Sequence, residues 1–205
     1  MGLPQRVARL TPTEYLKIER ASEFRHEFVN GEMFAMAGGS PQHSAIKVNL
    51  SREVSTRLKG RPCTAFDSDL RIQVSPTGLY TYPDLSVVCG ELEFDDDQQD
   101  TVLNPTLLVE VLSGSTEAYD RGEKFAHYRQ IASLREYVLI SQKSPLVERY
   151  LRNPDDTWTL TAVIGLEASI HLLTIDLTLP LAEVYDRVKF DESDSLRPGA
   201  FQPNG

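Results

Sequence analysis

One carboxylate stands where a folded chain can least easily place it. The run Leu107-Leu108-Val109-Glu110-Val111-Leu112 is apolar at every position except Glu110. A strand with apolar neighbours on both faces belongs inside a sheet that is covered on both sides, as parallel strands are. An unpaired carboxylate there costs several kcal/mol, so Glu110 must be neutral, paired, or bound to a cation. Asp84, at the head of Leu85-Ser86-Val87-Val88, poses the same question. Two acids on adjacent central strands can converge on one point, which suits a hard divalent cation taking few carboxylates plus waters. The alternatives are a buried Arg or Lys partner for Glu110, and a turn-capping role for Asp84 after Pro83.

The surrounding pattern places these acids in an α/β (α+β) domain. Thr11 to Ala21 reads as a capped helix, with Pro12 in its first turn and Glu14 three residues after Thr11. Phe24 to Ala37 reads as a hairpin about Asn30-Gly31. Ile46, Leu50, Val54 and Leu58 recur at helical spacing and predict a helix over about Pro41 to Lys59. Strands are expected at Pro62 to Phe66 and Asp69 to Val74, turned by Asp67-Ser68, then at Leu85 to Cys89 and Thr106 to Leu112. A helix over Thr116 to Ala132 presents Phe125, Tyr128 and Ile131 inward. Closing strands follow at Glu136 to Ile140, Leu146 to Leu151 and Trp158 to Val163. The strand, helix, strand succession from Thr106 to Ile140 implies a parallel pair within a mixed sheet. One domain over 1–190 is expected, with a polar, disordered tail over 191–205. On the second long helix Asp120, Lys124 and Tyr128 fall at i, i+4 and i+8, hence on one face; a surface Asp–Lys pair is the plain reading of the first two.

Charge and cysteine content constrain the partners. The formal net charge is -9, awkward for an enzyme that must approach phosphates, although a local basic face can coexist with an acidic remainder. The cationic group Lys47, Arg52, Arg57, Lys59 and Arg61, on and after the first long helix, is the candidate nucleic-acid contact or else a solvated helix face. Glu91 to Asp100 holds six carboxylates and no base, and reads as a solvated connection. No apolar run reaches membrane-spanning length, so no membrane partner is expected. Cys63 and Cys89 read as two buried reduced thiols in a cytoplasmic protein.

Several of these segments resemble the Uma family of restriction endonucleases. They are Tyr82-Pro83-Asp84-Leu85-Ser86-Val87-Val88, Leu108-Val109-Glu110-Val111-Leu112-Ser113, His26-Glu27-Phe28-Val29-Asn30-Gly31-Glu32, Ser40-Pro41-Gln42-His43, and the helix from Ser115-Thr116 through Asp120, Lys124 and Tyr128. The resemblance spans about residues 10 to 185. It implies the PD-(D/E)XK, restriction-endonuclease-like core αβββαβ, here with an extra N-terminal helix and hairpin and extra C-terminal strands. It also implies that Asp84 and Glu110 are the metal-binding acids, with Glu27 and His43 at recurring family positions. The superfamily's usual lysine, two residues after the second acid, is Leu112 here, and Lys124 on the following helix takes its place. Gly114 stands where the family often has proline.

The function so implied is a Mg²⁺- or Mn²⁺-dependent endonuclease acting on phosphodiester bonds, DNA ahead of RNA. Asp84, Glu110 and the Val111 carbonyl would be the ligands, Lys124 the catalytic cation, and Glu27, His43, Asp120 and Tyr128 the support. A nuclease-derived binding or regulatory module without turnover is the competing class, and a hydrolase acting on RNA or a nucleotide is a third. A homodimer is expected, using free strand edges after Ile140.

Overall fold

Local chemistry sets the first elements. Thr11 and Glu14 form the reciprocal bonds of a capping box at helix α1 (Pro12–Glu19), with Pro12 in the first turn. Asn30 and Gly31 take φ of 53° and 85°, so β1 (His26–Val29) returns as β2 (Glu32–Ala35). Ser40 caps α2 (Pro41–Leu58), whose buried stripe is Ile46, Leu50, Val54 and Leu58. Each such side chain contributes about 1.5–3 kcal/mol on full burial. This computed structural model describes residues 9–190; the segment expected to form a disordered tail lies outside them.

The chain continues through β3 (Cys63–Asp67), β4 (Arg71–Val74), β5 (Leu79–Thr81), β6 (Leu85–Cys89), β7 (Thr101–Val102) and β8 (Leu107–Leu112). A helical crossover follows: α3 (Glu117–Tyr119), a π-turn over Asp120–Lys124, and α4 (Phe125–Tyr128). Then come β9 (Glu136–Ser141), β10 (Leu146–Arg152), β11 (Trp158–Ile164), β12 (Ser169–Leu172), β13 (Leu177–Pro180) and α5 (Leu181–Val184). The main sheet has six strands in the order β11-β10-β9-β8-β6-β3. Within it β8 and β9 run parallel and the other pairs antiparallel, the mixed sheet that the sequence implies. A second sheet, β2-β1-β5-β4-β7, holds the N-terminal hairpin, and β12 pairs with β13.

The central strands β6, β8 and β9 are buried on both faces, as the apolar run of β8 demands. Val109 and Val111 face α2, α5 and the β12–β13 pair. Leu108 and Leu112 face the helical crossover and the second sheet. Glu110 alternates with these last two, so its carboxylate points into the layer beneath the crossover helix.

Four expectations are corrected. Cys63 and Cys89 are not reduced thiols; they form a disulfide, because antiparallel pairing of β3 with β6 sets them directly opposite each other. Pro62 to Phe66 and Asp69 to Val74 do not pair as a hairpin: β3 joins the main sheet and β4 the second, since their partners come from distant segments. The helix predicted over Thr116 to Ala132 ends at Tyr128 and carries the π-turn. The acidic loop is not simply solvated: Arg20 binds Asp96 and Asp100, and Arg71 also reaches Asp100. Strands β5, β7, β12 and β13 had no signature strong enough to read in advance.

Candidate active site

Strand register brings the two singled-out acids together. Leu85 pairs with Val109 across the antiparallel β6–β8 ladder, so one step beyond its end Asp84 stands opposite Glu110. Pro83 lacks the N–H a further rung would need. Asp84 Oδ2 instead accepts the Val111 N–H at 2.7 Å. From the other side, α2 presents His43 and Lys47 one turn apart. His43 Nε2 lies 3.2 Å and Lys47 Nζ 3.1 Å from the Asp84 carboxylate. Gly39 lets the preceding loop pass close to the His43 ring, since a Cβ there would meet Nδ1 at 2.6 Å.

Beneath the crossover helix, Lys124 is the hub. Its ammonium is 2.9 Å from Glu110, 3.0 Å from Glu27 and 3.6 Å from Asp120. The π-turn buries both Asp120 and Lys124, and such turns recur at functional sites. Tyr128 donates to Glu110 at 2.7 Å, and Thr81 donates to Glu27. Tyr137 fixes the turn itself by donating to the Asp120 carbonyl.

Electrostatics divide the two acids. Burial pushes Asp84 up, but the His43 hydrogen bond and charge, Lys47 and the Val111 N–H outweigh it and hold the carboxyl below its ordinary value. Glu110 is pushed up to about 8, first by burial and then by Asp84 and Asp120, against the pull of Lys124. Burial also raises Asp120, with Lys124 opposing. For Lys124 burial works against the charged form, yet Glu110, Glu27 and Asp120 together raise it well above the usual lysine value. Four carboxylates (Glu27, Asp84, Glu110, Asp120) thus face two ammonium groups in a largely buried site. Among the described residues no three His, Cys, Asp or Glu side chains are gathered as a ready metal cage.

The expected site residues therefore fall into two bonded groups, His43 with Asp84 and Glu27, Glu110, Asp120 and Tyr128 about Lys124, set side by side by strand β8, whose Val111 N–H bonds Asp84. The cationic group on α2 does not stay together. Lys47 turns into the site, Arg52 and Arg57 pair with Glu53, and Arg61 donates to the Asp176 carbonyl. Reasoning from sequence missed Thr81, Tyr137 and a network under α1. There Arg71 donates to Tyr82 and Thr101, and Tyr82 donates to Glu19. The only advance signal was that Tyr82 lies two residues before Asp84.

Comparison with known proteins adds what geometry alone does not. The family model Uma2, described as "Putative restriction endonuclease", matches residues 12–182. Two uncharacterized proteins of Synechocystis sp. are each 39% identical to this chain. One covers 89% of it and 94% of its own length, the other 79% and 92%. The fold also matches the crystal structure of a "putative nuclease belonging to DUF820" from Anabaena variabilis, with a TM-score of 0.70 and 19% identity, over 86% of this chain and 97% of that one. No helix among the described residues is long and apolar enough to cross a membrane. With the greater part of its length matched by that model, this chain belongs to the Uma2 restriction-endonuclease family.

Proposed function

We propose that the chain hydrolyses phosphodiester bonds in nucleic acid, DNA ahead of RNA, with Mg²⁺ or Mn²⁺ held by Asp84, Glu110 and the Val111 carbonyl. The observation that carries this reading is the uncompensated acid: four carboxylates, three of them buried, share two ammonium groups, and Glu110 is pushed up to about 8. The donor set is hard oxygen, and two carboxylates completed by waters and substrate oxygens suit Mg²⁺ better than a full protein cage does. A cation bound there would polarise the phosphoryl group and acidify a coordinated water.

The side chains of the chain have distinct tasks. Asp84, kept ionised by His43 and Lys47, is a ligand ready at neutral pH. Tyr128 and Lys124 orient Glu110 by bonding its carboxylate. Lys124, held charged by its three acids, offers an ammonium to the charge that develops on the phosphoryl oxygens. It reaches the site from a helix, where the superfamily's lysine would come from the strand, because only the position of the ammonium matters electrostatically. His43 and Lys47 line the α2 side, where an incoming phosphate would meet them.

The test is cleavage of plasmid DNA and of labelled single-stranded DNA and RNA, with Mg²⁺, Mn²⁺ or EDTA. Cutting that needs metal and disappears in Asp84→Asn and Glu110→Gln is expected. Calorimetric binding of Mn²⁺ should weaken in the same variants. Cutting that survives Glu110→Gln would overturn the reading. A second reading, a nuclease-derived binding module, is favoured by one feature: the Lys124 ammonium is engaged by Glu110 and Glu27 together. Metal binding without cleavage of any of these substrates would select it.

A further inference from the structure

Strand β11 ends the main sheet, and its sequence is unlike that of a protected edge. Its seven residues, Trp158-Thr159-Leu160-Thr161-Ala162-Val163-Ile164, contain no charge and no proline, in a chain of net charge -9. Exposed edges are ordinarily blunted by Lys, Pro, bulges or a covering segment. Among the described residues no strand pairs with its outer side.

The direction of the free backbone groups follows from the ladder. Gly165 N–H bonds the Pro145 carbonyl and Asn153 N–H bonds the Thr157 carbonyl, with unbroken register between them. Hydrogen-bonded pairs alternate along an antiparallel ladder, so Thr159, Thr161 and Val163 bond inward to β10. Trp158, Leu160, Ala162 and Ile164 therefore turn their N–H and C=O groups outward. The same four residues share one face of the sheet, the side of the crossover helix. Leu160 is 50% exposed and Ile164 65%. Beside them lies a depression of about 580 Å³, walled by Phe125, Tyr150 and Trp158 and rimmed by Arg129, Arg152 and Asp156. An apolar stripe on an open edge needs a partner that is also uncharged and also offers an open edge.

We infer that β11 is a dimerisation edge and that its occupant is the β11 strand of a second copy, joined antiparallel about Thr161. The strand is self-complementary in that register. Leu160 meets the partner's Ala162, large against small, and Trp158 meets the partner's Ile164, all apolar and all on one face. The outward N–H and C=O groups of those residues become the hydrogen-bonded pairs, and Thr161 faces its own counterpart in the close, non-hydrogen-bonded pair. The two six-stranded sheets merge into one, and Ile164 of each copy comes to lie beside the other's aromatic depression. A two-fold axis closes the assembly at a dimer, with both β11 edges consumed. In a chain of net charge -9, an uncharged strand also brings no like charges into opposition when it meets its own copy.

The experiment is light scattering after size exclusion on the full chain, with three variants and circular dichroism as the check on folding. The wild type should run at twice the 23.0 kDa of one chain. Dilution should shift the fluorescence of Trp158, the single tryptophan. Leu160→Lys and Ala162→Pro should both run at 23.0 kDa; the proline removes an outward N–H that β10 does not use. Thr161→Cys, which gives up only a 3.5 Å hydrogen bond from Arg149, should cross-link two chains under oxidation, since Cα atoms in such a pair lie about 4.5 Å apart. A wild type of 23.0 kDa, a dimer surviving both Leu160→Lys and Ala162→Pro, or a dimeric Thr161→Cys that does not cross-link would each overturn the inference. A monomer whose Trp158 fluorescence is quenched by a single-stranded oligonucleotide would assign the aromatic shelf to nucleic acid instead.

Discussion

Two ionic clusters lie on either side of the segment Thr81-Tyr82-Pro83-Asp84, and they are built on opposite principles. In the first, Arg20 and the buried Arg71 clasp the partly exposed Asp96 and Asp100, with Tyr82, Thr101 and Glu19 absorbing the remaining hydrogen bonds. Guanidinium groups suit such clasps because their planar fork matches carboxylates. The two guanidinium groups are matched by Asp96 and Asp100, whose carboxylates are partly solvated, and Glu19 is bonded by Tyr82 and His26. In the second, Glu27, Asp84, Glu110 and Asp120 are gathered around Lys124 and Lys47, deeper and with acid in excess. A cluster built for stability pairs its charges; one left short of positive charge is open to a cation. Perturbed acids concentrated in one place make a candidate functional site for that reason.

That contrast can be broken most decisively by activity. Glu110→Gln should lower cleavage by about a hundredfold or more, an effect on the order of 3 kcal/mol in the barrier, read from initial rates on plasmid DNA. Asp100→Asn should leave the same rates nearly unchanged. Equal losses in the two variants would erase the distinction between the clusters.

Stability gives the next largest effect. Lys124→Met leaves Glu110, Glu27 and Asp120 without their shared counter-charge, and should cost about 3–5 kcal/mol in urea unfolding. Adding Glu27→Gln to it should recover part of that loss, because one of the stranded charges is then removed.

The pH dependence sharpens the comparison further, because the two clusters bend it in opposite directions. Glu110 titrates at about 8 when folded, above its ordinary 4.5, so it favours the folded state while protonated. Its contribution is complete below 4.5 and is lost as pH rises toward 8. Unfolding midpoints should fall across that interval without added metal, and Glu110→Gln should flatten the slope. Asp100 is held below its ordinary 3.8, first by the Arg20 hydrogen bond, so its contribution is present above 3.8 and lost as pH falls. Asp100→Asn should blunt the acid limb by the smallest effect of the series, since the group is partly exposed.

Several elements were legible beforehand because their signals are local or periodic. The capping box at Thr11, the Asn30-Gly31 turn and the every-fourth apolar stripe of α2 depend on a few consecutive residues. The short strands β5 and β7 were not legible, since three and two residues carry too little periodicity. The disulfide escaped for a different reason. Cys63 and Cys89 are separated by 26 residues, and only the register of β3 on β6 makes them neighbours.

The site shows the same division. An acid inside an apolar run is expensive wherever the run folds, so the sequence alone singled out Glu110, and Asp84 by its likeness of context. Asp120, Lys124 and Tyr128 followed from helical spacing. Only the tertiary structure decided that Glu27 and Asp120 share the ammonium of Lys124, that Lys47 serves Asp84 and leaves the surface, and that a π-turn buries Asp120 with Lys124. Burial cost is a property of a residue and its immediate neighbours, and is written along the chain. The identity of the partner that offsets the cost depends on which distant segments pack together, and that is settled only when the whole core closes.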